Sequence, residues 1–431
     1  MTRPDVKPPG PARTLLARVR QMIEPLEAES IREAARALTP EIEARADEAA
    51  SLRRMPTDLV ARLQAAGVFR LAVPRSRGGP QMSAREQMEI VELLSTADPS
   101  AGWCVRAGSV GGFLSARLAD DAANELFPTP DTITAGDLTL GGRAQRVRGG
   151  YRVSGRWGSA SGCTHAAVLF AHCPVFEGDA SVMAGSPGAG DTSPRRPETR
   201  IVIAPSGRWQ ILDTWYTTGL AGSGSHDFTA HDLFIPEAHA LDPAAPARTA
   251  DALYASEDLV PAALAGVPLG LARRAIDSLR ALLEGRSTED SSIPVTLETA
   301  PIALEAVPLG LEAPPGVRAA LARGESTLGA ARAYAYEALD AAWLRLRSGN
   351  PLTRDLRLAL SLSRLHAFRA GREVAQLMFN AAGSTAVYTR SPLDRLLRDA
   401  ITIAQHAAAH DRNLETIGGA LLAKDAPLPV I

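Results

Sequence analysis

The sequence predicts an α+β fold in which two helical regions flank a central β-barrel. Apolar residues recur at helical spacing in the first third of the chain, alternate with polar residues over short segments in the middle, and return to helical spacing from Leu253. We therefore divide the 431 residues into a disordered tail (1–25), an N-terminal helical domain (26–128), a central β-barrel (129–240) and a C-terminal helical bundle (241–431).

Composition excludes several classes of protein. Hydrophobic residues make up 45% and charged residues 22%, as in globular rather than disordered chains. With 46 basic and 48 acidic side chains, the net charge of −2 favours neither nucleic acid nor an anionic membrane surface as a partner. The three cysteines form no CxxC motif, which fits a reducing compartment.

Targeting signals are also missing from the sequence. No run of about 18 apolar residues is visible, so we expect no membrane span. The first 15 residues contain four prolines and no apolar segment, which predicts a tail rather than a signal peptide. We therefore expect a cytoplasmic protein.

Helix boundaries are marked in the first third. Pro56 precedes an apolar helical pattern that ends near Gly67, a residue suited to a C-terminal cap. Ser83 and Glu86 have the spacing of a capping box at the start of the next helix. Asp98-Pro99 then ends that helix, and Trp103 lies in a new apolar segment.

Short strands are predicted in the middle of the chain. Residues 146–157 indicate a hairpin that turns at Gly149-Gly150, with Tyr151, Val153 and Trp157 on one face. Four further strands follow over 166–173, 201–205, 209–215 and 228–236, a spacing typical of a small barrel or sandwich. Residues 174–200 are rich in Gly, Ser, Pro and Asp and predict a mobile surface loop.

Long amphipathic helices are predicted over 316–347, 356–382 and 393–422. On the last of these, one face carries five polar side chains: Arg395, Asp399, Thr402, His406 and His410. Three interpretations remain open from the spacing alone. The face is a solvated stripe with ion pairs, or it presents a histidine to a cleft as acid or base, or it is half of a metal site that lacks a clear third ligand.

Two segments of small polar residues are candidate ligand contacts. Residues 157–165 place Ser159 and Ser161 beside the indole of Trp157, where small residues would let a planar ligand approach the backbone. Residues 219–227 combine three glycines with two serines. The alternatives are an apolar barrel plug for the first segment and a tight connection for the second.

Phosphate-loop, dinucleotide, zinc-protease and serine-hydrolase motifs are absent from the sequence. Instead, the segments 54–79, 149–166, 219–236 and 391–406 resemble the acyl-CoA dehydrogenase superfamily, and more narrowly its two-component flavin-dependent monooxygenases. The resemblance implies an N-terminal helical domain, a central β-barrel and a C-terminal four-helix bundle. It also implies a homotetramer with flavin between barrel and bundle.

One departure separates the two activities of this superfamily. Acyl-CoA dehydrogenases usually carry a catalytic glutamate after an R-x-x-R-D motif; here Arg395, Arg398 and Asp399 are present, but no glutamate occurs over 391–413. Abstraction of an α-proton needs a base over the substrate carbon, so the resemblance favours the monooxygenase. The alternatives are an acyl-CoA dehydrogenase or oxidase with a displaced base, and a catalytically silent flavin-binding relative.

The resemblance implies a specific chemistry. A separate NAD(P)H-flavin reductase would supply reduced flavin, FMNH2 or FADH2, and O2 would give a C4a-hydroperoxide that oxygenates a small aromatic or natural-product substrate. By family position, Ser161 would accept the N5–H hydrogen bond, Trp157 and Ser159 would line the flavin ring, and Trp103 would wall the cavity. His406 would be the base or hydrogen-bond partner at the reacting group.

Weaker expectations concern the flavin phosphates and the substrate. Gln376, Gly383 and Ser384 lie where contacts from a neighbouring subunit are expected, and Arg286 is a candidate phosphate partner by charge alone. The first histidine in the chain is His165, whereas phenol hydroxylases of this branch often add a histidine from the N-terminal helices. A simple phenol is therefore not favoured as the substrate.

Overall fold

The computed structural model describes residues 11–177, 198–284 and 313–423, with side chains from residue 27 onward. Arg286 and most of the predicted loop over 174–200 lie outside the described residues. The helices are α1 Pro11–Ala44, α2 Ala46–Leu52, α3 Thr57–Ala65, α4 Ala84–Ala97, α5 Pro99–Gly108, α6 Gly111–Ser115, α7 Asp120–Leu126, α8 Gly266–Leu283, α9 Pro315–Arg347, α10 Arg354–Ala382, α11 Pro392–Ile403 and α12 Arg412–Leu422. The strands are β1 Thr134–Asp137, β2 Arg143–Val147, β3 Gly150–Ala160, β4 Val168–Phe176, β5 Thr199–Pro205, β6 Gln210–Leu212, β7 His226–Pro236 and β8 Ala240–Leu241.

The predicted helix boundaries of the first third are confirmed. Gly67 follows α3 with φ of 78°, a left-handed conformation that glycine adopts without strain. The backbone N–H of Glu86 donates to Ser83 Oγ at 3.3 Å, and Glu86 Oε2 accepts from the Ser83 N–H at 2.8 Å, so the capping box is formed. Asp98 caps α5 by accepting from the N–H of Ala101 at 3.1 Å. The first helix begins at Pro11, inside the region predicted as a disordered tail.

The strands form one eight-stranded sheet in the order β6-β7-β3-β2-β4-β5-β8, and β1 pairs in parallel with β4. The predicted hairpin is confirmed as the antiparallel pair β2–β3, but its turn lies at Arg148-Gly149, one residue earlier than predicted, because Gly150 already pairs with Val147. Buried residues from both halves of this order share one core, among them Tyr151, Leu169 and Val202, so the sheet curls around it. Within the described part of the chain, no ladder joins the end strands β6 and β8 to close the predicted barrel.

Trp157 fills the centre of the curled sheet. Its indole stacks on Phe228 at 5.5 Å between ring centroids and meets the edge of Trp209 at 5.7 Å. Only 2% of Trp157 is exposed, so its indole lies in the core that the curled sheet encloses.

Helix α8 belongs to the bundle and connects it to the N-terminal helices, since it packs against both α10 and α4. The helical stretch Glu257–Leu283 that contains α8 is apolar and long enough to cross a membrane by composition, which the sequence had not led us to expect. However, 83% of its most apolar window is buried inside the protein. It is therefore a core helix of the helical bundle.

The predicted long helix over 393–422 is wrong. The structure has α11, a turn, a short 3₁₀ segment at Ala407–Ala409, and then α12. His406 Nδ1 accepts from the N–H of Ala408 at 3.1 Å, and the side-chain amide of Asn413 donates to the carbonyl of Ala407 at 2.7 Å. These local side-chain contacts satisfy the backbone outside a helix, which ends at Ile403. The five polar residues therefore do not share one helical face.

Candidate active site at the junction of sheet and helices

Three segments singled out from the sequence meet at one place. Ser161 follows β3, Trp103 lies on α5, and Ser225 ends the glycine-rich turn before β7. The indole N–H of Trp103 donates to Ser161 Oγ at 2.8 Å, and Ser161 Oγ lies 2.7 Å from Ser225 Oγ. All three side chains are buried, so these contacts form away from bulk water.

The donor and acceptor of each hydrogen bond between the hydroxyl groups of this cluster can be assigned. Ser223 donates to the carbonyl oxygen of Leu220 at 2.7 Å, because a carbonyl can only accept. Ser223 lies 2.7 Å from Ser225, which must therefore donate to it. Ser161 must in turn donate to Ser225 while it accepts from Trp103. One lone pair of Ser161 is left, so this hydroxyl can only accept from a further ligand.

The glycine-rich turn is joined directly to α11. The N–H of Leu220 donates to Asp399 Oδ1 at 2.6 Å. A Cβ at Gly219 would lie 2.2 Å from the carbonyl oxygen of Arg398, so only glycine permits this approach. Burial raises the pKa of Asp399 to about 7, with a further contribution from the charge of Asp98. The motif carboxylate is thus part of the framework that positions the turn.

His406 lies against Trp103, with ring centroids 5.1 Å apart and an edge-to-face angle of 78°. Because Nδ1 accepts the N–H of Ala408, the proton of the neutral ring resides on Nε2. Burial, together with the charges of Arg106 and Arg364, lowers the pKa of His406 to about 4. At neutral pH, His406 is therefore an uncharged ring that offers an N–H from Nε2.

Sequence reasoning missed two arginines near this histidine. Arg106 lies one helical turn beyond Trp103 on α5, and Arg364 is a 5% exposed residue in the middle of α10. Burial lowers the pKa of each to about 10. The signal was present at Arg364, which stands four residues from both Leu360 and Phe368 on the apolar face of its helix.

Two predicted flavin contacts do not join the cluster. Trp157 is occupied in the sheet core, because its ring stacks on Phe228 and makes an edge-to-face contact with Trp209. Ser159 is exposed, adopts φ of 55° at an irregularity in the β3–β7 ladder, and its N–H points to Asp227 at 3.4 Å. It lies two residues from Ser161, and its role as a cofactor contact stays a prediction.

The predicted phosphate contacts lie elsewhere on the chain. Gln376 is exposed on α10, and Gly383 and Ser384 are exposed in the 3₁₀ segment that follows. None of them touches the cluster, and their contact with a neighbouring subunit stays a prediction. His410 is exposed, and its Nδ1 accepts the N–H of Arg412, so it does not line the site.

No group of three His, Cys, Asp or Glu side chains among the described residues is arranged to hold a metal. A broad surface groove lined by Gly155, Gln210 and His231 lies on the sheet, away from the cluster. A narrower cavity opens beside Arg106 and is lined also by Gln87, Ser109 and Phe113. Arg106 therefore borders this second cavity.

Comparison with known proteins identifies the family of this chain. The family models for the N-terminal and C-terminal domains of acyl-CoA dehydrogenase match residues 25–125 and 262–411. Indole-3-acetate monooxygenase from Pseudomonas putida is 30% identical over 379 residues, which cover 88% of this chain and 89% of that protein. This chain is a flavin-dependent monooxygenase of the acyl-CoA dehydrogenase-like family.

Further relatives define the branch. The flavin-dependent monooxygenase oxygenase subunit HsaA from Mycobacterium tuberculosis (strain ATCC 25618 / H37Rv) is 26% identical over 390 residues, 90% of this chain and 93% of the relative. XiaF from Streptomyces sp., solved with FADH2 and glycerol, matches 96% of this chain and 100% of its own with a TM-score of 0.80 at 21% identity, which shows the shared fold. This monooxygenase is accordingly the oxygenase component of a two-component system.

Proposed function

We propose that this monooxygenase binds reduced flavin against Ser161 and oxygenates a small aromatic or natural-product molecule held between Trp103 and His406. The flavin and O2 would supply the oxygen donor, a C4a-hydroperoxide, as the resemblance implies. FADH2 and FMN occur in the solved structures of XiaF and KijD3, two proteins of this fold.

The observation that carries the proposal is the direction of the hydroxyl chain. Ser161 has one free lone pair and no free hydrogen, since its hydroxyl donates to Ser225 and accepts from Trp103. The N5 position of a reduced flavin carries a hydrogen, whereas that of an oxidised flavin does not. Ser161 is therefore matched to the reduced form, and it would retain the N5 proton whose loss releases peroxide.

The second supporting observation is the state of His406. A general base that works near neutral pH needs a pKa near the working pH. The pKa of about 4 and the engaged Nδ1 instead make His406 a donor from Nε2. We infer that His406 donates a hydrogen bond from Nε2, either to an oxygen of the substrate or to the oxygen that is transferred. It does not remove a proton from the substrate.

The same charges argue against the alternative dehydrogenase. Abstraction of an α-proton needs a carboxylate facing the substrate, but the groups that influence His406 are the cations Arg106 and Arg364. The nearby carboxyl of Asp399 is 2% exposed and accepts from the backbone of Leu220. This carboxyl therefore holds the glycine-rich turn.

Partners follow from the two-component chemistry. HsaA is the oxygenase subunit of a flavin-dependent monooxygenase, which implies a separate reductase. We expect such a reductase to supply reduced flavin to this chain as well. We also expect the homotetramer that the resemblance implies. Exposed apolar residues near the ends of the bundle, Val387, Tyr388, Leu421 and Leu422, are the surface that such an assembly would bury. Light scattering during size-exclusion chromatography would measure the mass.

A rapid-mixing experiment tests the proposed chemistry. Protein loaded with reduced flavin is mixed with O2, and absorbance follows reoxidation. We expect two phases, with an intermediate flavin adduct that persists for seconds or longer. Reoxidation in a single step, together with bleaching of an FAD-loaded sample by acyl-CoA thioesters, would instead identify a dehydrogenase.

A further inference from the structure

We propose that Arg106 and Arg364 form a carboxylate subsite beside His406, so that the substrate of this monooxygenase is an aromatic or heteroaromatic acid. The proposal rests on the proposed function for the identity of the cavity. It goes beyond that function by assigning the charge of the substrate and the two side chains that would recognise it.

Arg364 gives the stronger support for a carboxylate subsite. Its residue is 5% exposed, and its Nε is buried without a hydrogen-bond partner. No carboxylate in the described part of the chain lies within ion-pair distance of it. The nearest acidic influence, Asp258, instead receives Nε of Arg357 at 2.8 Å and the hydroxyl of Ser256 at 2.8 Å.

Arg106 is in a similar position on the opposite helix. Its only hydrogen bond within the described residues runs from Nη2 to the carbonyl oxygen of Val260 at 3.2 Å. It lines the narrow cavity that also contains Gln87 and Ser109. The Ala262–Ala265 segment that follows Val260 packs against both α5 and α10, so the two arginines belong to one packed region of the protein. The charge of Arg364 accordingly lowers the pKa of Arg106.

Two buried cations without a carboxylate are costly in a folded protein. Burial of a charge is unfavourable unless the charge is paired and hydrogen-bonded. Such uncompensated groups in a cavity are typical of ligand sites, where the ligand brings the missing charge. Guanidinium groups bind planar carboxylates through paired N–H···O contacts, so two of them next to an aromatic wall match an aryl carboxylate.

The position of the pair decides between two sources of negative charge. A flavin phosphate would also satisfy two arginines. However, Arg106 lies one helical turn beyond Trp103 on α5, and Arg364 lies on α10, which packs against the Ala407–Ala409 segment directly after His406. Trp103 contacts His406 and donates to Ser161 on the proposed side of the flavin ring. The arginines therefore lie at the reacting end of the flavin, where a substrate belongs, rather than at its phosphate end.

Equilibrium binding without flavin or oxygen tests the assignment. The probes are indole-3-acetate and phenylacetate, each compared with its neutral amide by calorimetry, and FMN compared with riboflavin as the phosphate arm. The proteins are the wild type, Arg106→Met, Arg364→Met and the control Arg369→Met. Arg369 is an exposed residue of α10 that pairs with Asp411 at 2.7 Å, so its loss changes the charge of the helix but not the cavity.

We expect the wild type and Arg369→Met to bind an acid about 10- to 100-fold more tightly than its amide. That preference should disappear in Arg106→Met and Arg364→Met. Arg364→Met should also melt at the same or a higher temperature than the wild type, because it removes a buried unpaired charge. If that variant does not fold, Arg364→Lys retains the charge without the paired donors and should keep only part of the preference.

Three results would overturn the assignment. Equal binding of acid and amide by the wild type would show that the site does not recognise a carboxylate. The absence of binding of either acid at millimolar concentration would show the same. Loss of FMN binding in the variants with riboflavin binding unchanged would assign the pair to the flavin phosphate. A lower melting temperature with unchanged acid binding would make the arginines structural. Since no flavin is present in the acid arm, its outcome is independent of the adduct measured by rapid mixing.

Discussion

Replacement of Asp399 by asparagine should stabilise the protein in a pH-dependent way. The carboxyl is 2% exposed on α11, and one of its oxygens accepts from the N–H of Leu220 while the other, Oδ2, has no partner. Burial raises its pKa from 3.8 to about 7, assisted by the charge of Asp98 and opposed by Arg395 and Arg398. An asparagine can still accept from Leu220 but carries no charge.

The sign and size of the change in the free energy of unfolding follow from proton linkage. Between about pH 4 and pH 7 the folded protein retains a proton on Asp399 that the unfolded chain has released, so wild-type stability falls as the pH rises. The difference between the ordinary pKa of 3.8 and the raised pKa of about 7 corresponds to about 4 kcal/mol in the free energy of unfolding, which is reached only above pH 7. Asp399→Asn should therefore equal the wild type near pH 4 and exceed it by up to that amount near pH 8.

Other groups move stability in the opposite direction over part of this range. Burial lowers the pKa of His165 and of His406 to about 4, so each contributes stability that is gained as the pH rises from about 4 to 6.5. These contributions are common to the variant and the wild type and cancel in their difference. The difference, rather than either curve alone, is the quantity to measure.

The assay is chemical denaturation followed by tryptophan fluorescence at a series of pH values. Asp394→Asn is the control, because this carboxylate lies on the same helix and pairs with Arg398 at 2.8 Å. A difference between Asp399→Asn and wild type that stays constant from pH 4 to pH 8 would show that burial does not hold this carboxyl in its neutral form.

Four further changes test the site. Ser161→Ala should shorten the life of the flavin adduct by about two- to tenfold in rapid mixing, the value of one hydrogen bond, and an unchanged decay rate would place Ser161 away from N5. Ser225→Ala frees the hydroxyl hydrogen of Ser161, so anaerobic titration should find a smaller preference for reduced over oxidised flavin; an unchanged preference would disprove the direction of the hydroxyl chain. His406→Ala should reduce coupled product formation by about tenfold, the value of one hydrogen bond that orients the substrate, whereas His410→Ala should do little. A loss of about 10²–10⁴ would instead indicate that His406 transfers a proton. Equal small losses for the two would mean that His406 does not face the substrate. Gly219→Ala introduces a Cβ at 2.2 Å from a backbone carbonyl of α11 and should cost about 1–3 kcal/mol in a thermal unfolding assay; wild-type stability would refute the tight approach.

Local signals were sufficient wherever a few neighbouring residues decide the structure. The capping box at Ser83, the cap at Asp98 and the β2–β3 hairpin depend on short-range hydrogen bonds and on turn chemistry, and all are visible in the sequence. The strands β1 and β8 were missed because they are only four and two residues long. Both exist through pairing with distant strands, β4 and β5, which no local pattern reveals.

The candidate site was predicted in part for a related reason. The resemblance named Trp103, Ser161 and His406, and the structure brings the three side chains together, while their roles toward flavin and substrate stay predictions. The residues after Ile403 are mostly good helix formers, so their departure from helix depends on the contacts of His406 and Asn413. Burial of Arg106 and Arg364 is a property of packing among α5, α10 and the turn after α11, which the sequence does not display.

The row of hydroxyl groups from Ser161 to Ser223 also has an electrochemical consequence. A site that accepts a hydrogen from a reduced flavin and offers none to an oxidised one would bind the two forms with unequal free energies. Each tenfold preference for the reduced form would raise the midpoint potential of the bound flavin by about 30 mV, because two electrons are transferred. Three serines and one indole, all buried, would thus set the direction of flavin exchange, with the reduced form entering and the oxidised form leaving, without any moving segment.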